Sequence, residues 1–207
     1  MPLPLALPPA DPGFEILVSS QGMSQGLPIT DGIQLFPRLT VRIGRVQAGA
    51  QWRNVDSPAG NGVAALFAKY DRKIGQWQAD ATVRYRIRTG FTGVGRATSW
   101  EFSASGRRSF GNAAILASAD YSPEEFGRGH SFYAEISPSV AIGPTRISGG
   151  IGRRYRETDS AYTSGNLGVS SAVSKAITLD ARFYATDRAG LGDRYKPRLI
   201  MSARVTL

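Results

Sequence analysis

Apolar and polar residues alternate along much of this chain, and that period of two constrains the fold more than any other feature. Over residues 77–87 every odd position is apolar and every even position is polar. Successive side chains of a β-strand point to opposite faces, so this pattern predicts a strand with one apolar and one polar face. The spacing typical of an amphipathic helix is not sustained for ten or more residues anywhere in the chain. The sequence therefore predicts an all-β protein.

The alternation recurs twelve times along the 207 residues. The predicted strands cover residues 14–18, 33–41, 46–52, 63–70, 77–87, 100–104, 113–121, 132–142, 147–155, 167–173, 177–185 and 199–207. Tight turns are predicted near residues 43–44, 74–75, 111–112, 143–144 and 175. Longer polar loops are predicted around residues 22–31, 54–62, 88–97, 122–130, 156–163 and 187–196. Short turns that alternate with long loops are typical of an outer-membrane β-barrel with periplasmic turns and external loops. We therefore expect a transmembrane antiparallel up-and-down β-barrel of about twelve strands.

Composition excludes several other classes of protein. The chain has no Cys and one His, so it has no disulfide framework, no thiol nucleophile and no multi-histidine metal site. We therefore predict neither a metal nor another cofactor. The longest apolar run without proline is residues 63–68, whereas a membrane-spanning helix needs roughly 20 residues. The sequence thus predicts that no helix of this chain crosses a bilayer.

The polar faces of the predicted strands carry many charged side chains. A lipid-facing outside and a hydrated inside explain them without an unpaired buried charge. In a soluble barrel the charged face would instead be the wet surface, which alternation alone allows, but the asymmetry between turns and loops favours the membrane barrel. The charged residues predicted to line the pore are Arg38, Arg53, Asp80, Arg84, Arg86, Glu101, Arg107, Asp120, Glu135, Arg146, Asp180, Arg182, Arg198 and Arg204.

Several short segments resemble the TorF family of porins. They are Ser-Gln-Gly-Met-Ser-Gln-Gly-Leu-Pro at residues 20–28, Trp-Arg-Asn-Val-Asp at 52–56, Tyr-Ser-Pro at 121–123, Phe-Tyr-Ala-Glu at 132–135, and the hairpin at 166–187. In order and spacing they cover nearly all of residues 14–207. The chain departs from the family where Gln21 replaces an Arg and where Ser19 and Ser20 replace aromatic residues. The resemblance implies a barrel in the outer membrane more firmly than it implies any solute.

Strand number and charge together lead to two alternatives for the interior. Twelve strands enclose more space than an eight-stranded barrel and less than a 16-stranded porin. Among the predicted inward charges, nine are arginines and five are carboxylates. A water-filled lumen of this charge would favour small anionic solutes. Alternatively, arginine and carboxylate pairs cross-link a closed interior, which would make the protein a non-conducting structural barrel.

A second set of basic residues lies toward the predicted external strand ends and loops. The residues expected to contact lipopolysaccharide phosphates are Arg128, Arg153, Arg154, Arg156, Arg188, Arg194 and Lys196. Nucleic-acid binding is disfavoured because these residues are not concentrated on one face with stacking aromatic residues. The aromatic residues expected to form interface girdles are Trp52, Trp77, Trp100, Tyr70, Tyr85 and Tyr155.

One group of residues offers an enzymatic alternative. His130, Ser131 and Glu135 resemble the His/Ser/Glu set of the outer-membrane lipid A deacylases. Adjacent residues of a strand point to opposite faces, so His130 and Ser131 would cooperate only in a bent loop. We therefore predict that the protein is not an enzyme.

The two ends of the chain bear on export. Residues 1–13 contain several prolines and are predicted to be the remnant of a signal peptide or a flexible segment, followed by a single barrel over residues 14–207. The final Leu207 keeps the apolar alternation but replaces the aromatic residue with which bacterial barrels commonly end. The expected partners are outer-membrane lipid and lipopolysaccharide, the barrel-assembly machinery and small solutes, with no nucleic acid.

Overall fold

A computed structural model describes residues 10–93 and 95–207. Twelve of its strands are long, namely β1 (Asp11–Ser19), β4 (Gln34–Ile43), β5 (Val46–Ser57), β6 (Gly60–Ile74), β7 (Trp77–Thr89), β8 (Thr98–Phe110), β9 (Ala113–Ser122), β10 (Ser131–Ile142), β11 (Thr145–Arg156), β12 (Asp159–Ala172), β13 (Ile177–Thr186) and β14 (Arg198–Thr206). Two short strands, β2 (Met23–Ser24) and β3 (Leu27–Pro28), form a hairpin between β1 and β4. Two single turns of 3₁₀ helix, Ala189–Leu191 and Asp193–Tyr195, precede β14.

The long strands close into one barrel. Each strand pairs antiparallel with its neighbours in sequence, and β14 returns to pair with β1, where Ile16 lies opposite Val205. The predicted all-β barrel of about twelve strands is confirmed, and each predicted strand overlaps one observed strand. No helix within the described part of the chain has the length and apolarity to span a membrane.

The connections at one end of the barrel are short, as the sequence predicts. Four of them are two-residue turns that begin with Gly44, Gly75, Gly111 or Gly143, each with a φ between 58° and 63°. A positive φ at the first central residue alone is the pattern of a type II′ turn, which favours glycine there and matches the twist of the flanking strands. The first residues of β1 and the last residues of β14 lie at this same end of the barrel, because Asp11 of β1 pairs with Arg42 of β4.

The opposite end carries the long loops, but two of the six predicted there are wrong. β5 and β6 continue until only Pro58 and Ala59 separate them, and β11 and β12 leave only Glu157 and Thr158. One extra residue lies in β5, where residues 54–57 face residues 60–62, and one lies in β12, where residues 159–162 face residues 154–156. Such a bulge breaks the strict alternation while the backbone stays extended, so the alternation ends before the strand does.

Large apolar side chains cover the outside of the barrel. Leu39, Leu66, Ile151 and Leu167 are each 59–63% exposed. A soluble protein would bury these side chains against a second layer, whereas a lipid bilayer solvates them directly. Predicted girdle aromatics stand on the same outer surface near the strand ends, where the ring of Tyr85 packs 4.8 Å from that of Trp100. The outer surface is thus that of a transmembrane barrel.

The predicted segment 1–13 lies mostly outside the described residues. Its last three residues, Asp11 to Gly13, already belong to β1 and pair with β4. β1 therefore begins three residues earlier than the alternation alone predicts.

Candidate functional site

The inside of the barrel is polar and contains two chambers. The inner chamber has a volume of about 660 Å³, and the outer chamber, at the end that carries the long loops, has a volume of about 420 Å³. Four residues line both chambers, namely Ser24, Val63, Arg53 and Arg86. They mark the junction through which any solute would pass from one chamber to the other.

Arginines predominate among the charged side chains of the inner chamber. Seven arginines face three carboxylates, a net charge of +4; the residues are Arg38, Arg53, Arg84, Arg86, Arg107, Arg146, Arg182, Glu101, Asp120 and Glu135. Glu101 on β8 accepts hydrogen bonds from two arginines of β7, at 3.0 Å from Arg84 Nη1 and 2.7 Å from Arg86 Nη1. Because one carboxylate is shared by two arginines, this cluster also keeps a net positive charge.

Four arginines of the inner chamber have no ionic partner among the residues that the structure describes. No carboxylate of the described residues lies within 4.0 Å of Arg38, Arg53, Arg107 or Arg146. The guanidinium of Arg38 stacks 4.5 Å above the ring of Phe67, which stabilises a cation without neutralising it. These four side chains therefore supply most of the uncompensated charge of the chamber.

Hydroxyl groups, rather than arginines, hold two of the chamber's carboxylates. The Tyr133 hydroxyl donates to Glu135 Oε2 at 2.5 Å, and the Ser103 hydroxyl donates to Asp120 Oδ1 at 2.6 Å. Tyr133 is 5% exposed and was missed by sequence reasoning, which considered only charged residues for the lumen. Its parity in β10 is that of Glu135, and this signal would have placed it inside.

The β2–β3 hairpin folds into the barrel instead of extending outward as a polar loop. Met23, Ser24, Gln25 and Gly26 all line the inner chamber. The turn residues Gln25 and Gly26 have φ values of 53° and 83°, and the Tyr162 hydroxyl of β12 donates to the Gln25 carbonyl oxygen at 2.8 Å. The hairpin thus narrows the lumen while it is anchored to the wall.

The loop between β9 and β10, residues 123–130, bends over the outer chamber. Its Glu125 accepts hydrogen bonds from Arg154 and Arg156 of β11 at 2.8–2.9 Å. Burial would raise the pKa of this carboxyl, but the hydrogen bond from Arg156 and the charge of Arg154 lower the pKa to about 2. Glu125 is therefore ionised at neutral pH. Sequence reasoning missed it because the loop was expected to point away from the barrel.

The structure brings together most of the residues predicted to line the pore. Ten of the fourteen line the inner chamber, and Arg198 lines the outer one. Asp80, Asp180 and Arg204 line neither chamber. Asp80 accepts a hydrogen bond from Ser105 at 2.5 Å and lies 3.4 Å from Lys69, while Arg204 lies 3.6 Å from Glu15.

The basic residues predicted to contact lipopolysaccharide separate into inner and outer groups. Arg154 and Arg156, with side chains 8% and 7% exposed, point into the mouth of the barrel and not toward lipid. The expectation placed them at external strand ends and loops, whereas β11 extends through both, and their positions on either side of the exposed Tyr155 put both side chains on the inner face. Arg128 and Arg194 line the outer chamber. Arg153, Arg188 and Lys196 remain outside it.

The residues of the enzymatic alternative do not assemble into one site. His130 Nδ1 lies 2.9 Å from Glu157 Oε2 in an exposed pair, while Glu135 is held by Tyr133 and Ser137. In the part of the chain that the structure describes, no hydrogen bond joins His130 to Ser131, and no group of three potential ligands could hold a metal ion.

Comparison with known proteins identifies the fold. No protein-family model matches the chain, and no curated protein does so either. Among solved structures, the KdgM porin aligns with 93% of this chain and 98% of its own, with a TM-score of 0.64 and 11% identity. The NanC porin aligns with 93% and 97%, with a TM-score of 0.61 and 8% identity. The COG4313 outer membrane channel from Pseudomonas putida F1 aligns with 97% and 96%, with a TM-score of 0.58 and 13% identity.

These structural neighbours share the fold of the chain at low sequence identity. A closed twelve-stranded barrel with an apolar outside and a polar inside is the architecture of outer-membrane proteins. The predicted location in the outer membrane is therefore confirmed. Membership of the TorF family stays a prediction from the short motifs.

Proposed function

We propose that the protein is a passive outer-membrane channel that prefers small anionic solutes. The proposal depends on four inner-chamber arginines that have no ionic partner within residues 10–93 and 95–207, namely Arg38, Arg53, Arg107 and Arg146. Fixed positive charge in a narrow passage with low-dielectric walls attracts anions and repels cations. The net charge of the passage, rather than one binding residue, would therefore set the selectivity.

The junction between the chambers would set the size limit. Arg53 and Arg86 approach it from β5 and β7, and Ser24 approaches it from the β2–β3 hairpin. Arg86 is also hydrogen-bonded to Ser99 and Ser122, at 3.0 Å and 3.3 Å from its Nη2 atom. A side chain held this way presents its charge at a constant position in the passage.

Reconstitution in planar bilayers tests this proposal. We expect discrete conductance steps and, in a KCl gradient, a reversal potential that shows preference for chloride. The preference should decrease as salt rises, because ions screen the lumen charge more strongly at high ionic strength. Absence of steps, or a preference for potassium at low salt, would contradict the proposal.

A closed barrel is the second candidate, and a specific observation favours it. Glu101 bridges Arg84 and Arg86, Asp180 pairs with Arg182 at 3.1 Å, and the hairpin occupies part of the lumen. Such cross-links rigidify an interior whether or not water passes through it. The two candidates differ in the bilayer experiment, since a closed barrel inserts without conductance steps.

We also propose that the outward basic residues contact lipopolysaccharide. Arg153 is exposed on the outer side of β11 and donates to Thr163 Oγ1 at 3.1 Å, and Arg188 donates to the Ala161 carbonyl oxygen at 3.3 Å. Both guanidinium groups keep donors free for phosphate oxygens. Substitution of both by glutamine should weaken binding of lipopolysaccharide to the detergent-solubilised barrel, and unchanged binding would contradict this assignment.

A further inference from the structure

At the mouth of the barrel, two arginines bind a carboxylate of the protein itself. Arg154 Nη2 lies 2.9 Å and 2.8 Å from the two oxygens of Glu125, and Arg156 reaches the same oxygens through Nε and Nη2 at 2.8 Å and 2.9 Å. The two arginine side chains are 8% and 7% exposed. We name these three residues the mouth clasp. Four donor contacts on two oxygens form a complete binding site for an oxyanion.

The loop that carries Glu125 is pinned on two walls of the barrel. The next residue, Phe126, is 9% exposed, and its ring lies 4.4 Å from the Arg88 guanidinium and 5.0 Å from that of Arg86, both on β7. Phe126 has a φ of 53°, which a residue with a side chain adopts only where its surroundings enforce it. Release of Glu125 from β11 would therefore remove one of the two anchors of a strained loop.

Further arginines surround the mouth clasp without being used by Glu125. Arg88, Arg128, Arg194 and Arg198 line the same outer chamber, and within the described residues none of them is paired with a carboxylate. An entering solute with more than one oxyanion group would gain contacts with these arginines that the single carboxylate of Glu125 does not make. A ligand displaces an internal contact only through such a difference in interaction.

We propose that the mouth clasp is a binding site for solute oxyanions, carboxylate or phosphate, and that Glu125 occupies it as an internal competitor. While Glu125 is bound, residues 123–130 cover the outer chamber. When a multivalent anion binds the arginines, the loop is released and the mouth widens. The gating role rests on the proposed channel, whereas the binding site does not.

Hydrogen exchange of residues 123–130 in detergent-solubilised protein tests the site directly. The backbone amide of Glu125 donates to the Gly129 carbonyl oxygen at 2.8 Å, and that of Arg128 donates to the Glu125 carbonyl oxygen at 3.1 Å, so the closed loop should protect both amides. We expect millimolar citrate or inorganic phosphate to accelerate their exchange, relative to sodium chloride at equal ionic strength. Glu125→Gln should accelerate exchange without any added anion, by about tenfold or more if the clasp is a strong charge-assisted pair.

Glu124→Gln is the matched control. Glu124 is the neighbouring carboxylate of the same loop, and its side chain is 41% exposed in a pair with Arg96. An exposed ion pair contributes little to stability, so this variant should exchange like the wild type. Heat-modifiable gel migration should show that both variants remain folded barrels.

If citrate and phosphate leave the exchange of the wild type unchanged, or if Glu125→Gln exchanges like the wild type, the mouth clasp is structural and the inference is wrong. A response to added lipopolysaccharide but to neither solute would assign the site to lipid phosphates and would overturn the proposal of a solute. Conductance is measured on the same preparations, so a barrel that responds in exchange but passes no current retains the site and loses the channel.

Discussion

Replacement of one arginine at the junction between the chambers should change ion selectivity by an amount that the structure allows us to calculate. Arg53 lines both chambers and has no carboxylate within 4.0 Å among the described residues. Arg53→Gln removes one positive charge and keeps a polar side chain, although a shorter one. The perturbation is therefore mainly electrostatic, at the position where a permeating ion would have to pass.

Coulomb's law gives the magnitude. At an effective dielectric constant of about 20, a unit charge about 6 Å from a permeating ion contributes about 3 kcal/mol. Lumen water and salt at about 0.1 M, whose Debye length is about 10 Å, reduce this to about 1 kcal/mol. The substitution weakens the attraction of chloride and the repulsion of potassium by about 1 kcal/mol each, so the ratio of their permeabilities changes by about 2 kcal/mol. Since 1.4 kcal/mol corresponds to about tenfold, the ratio of chloride to potassium permeability should fall about 25-fold.

Reversal potentials in a KCl gradient across planar bilayers measure this ratio. Arg153→Gln is the matched control, because it removes the same charge from β11 on the outer side of the barrel. Arg53→Lys should retain the selectivity of the wild type, since it retains the charge. If Arg53→Gln leaves the permeability ratio unchanged while the channel still conducts, the lumen charge does not determine selectivity and the reasoning is refuted.

Three other substitutions or conditions test separate parts of the structure. A Cβ at Gly26 would overlap the Cβ of Ser164, and the φ of Gly26 is 83°, so Gly26→Val should displace the hairpin and increase single-channel conductance. The pKa of the Glu125 carboxyl is lowered to about 2. Its contribution to stability is therefore fully present above about pH 4.5 and is lost as the pH falls toward 2. Protection of the loop amides, corrected for intrinsic exchange rates, should be equal at pH 7 and pH 5 and should be lost near pH 2. Tyr133→Phe removes the hydroxyl that donates to Glu135 and should destabilise the barrel by about 1–2 kcal/mol, measured as a lower midpoint of heat-modifiable gel migration.

Matched variants decide how these three results are interpreted. Gly32→Ala adds a methyl group in the same loop where no atom lies within 4 Å, and conductance equal to that of Gly26→Val would contradict the role of the hairpin. Loss of loop protection between pH 7 and pH 5 would show that a group other than Glu125 holds the loop. Tyr121→Phe removes a hydroxyl from the exposed outer surface, and an equal loss of stability there would refute the buried hydrogen bond.

Alternation by itself determined the strands and the faces of this protein. Strict parity along β7, for example, predicted that Arg84 and Arg86 point inward and that Ile87 points outward, and the barrel places them so. The prediction succeeds because successive side chains of a strand point to opposite faces, so direction follows from position along the strand. Parity fails at the bulge between Asn54 and Ser57 of β5, where one extra residue shifts the register without a sequence signal.

Only the tertiary structure decided which charges are free and which loops turn inward. Glu101 could pair with any inward arginine, and the register between β7 and β8 sets its partners as Arg84 and Arg86, seventeen and fifteen residues away. The hydrogen bond from Tyr162 to Gln25 joins positions 137 residues apart. Local patterns carry no information about either contact. The first depends on the register between two strands, and the second exists only once the twelve strands have closed and brought a distant wall and loop together.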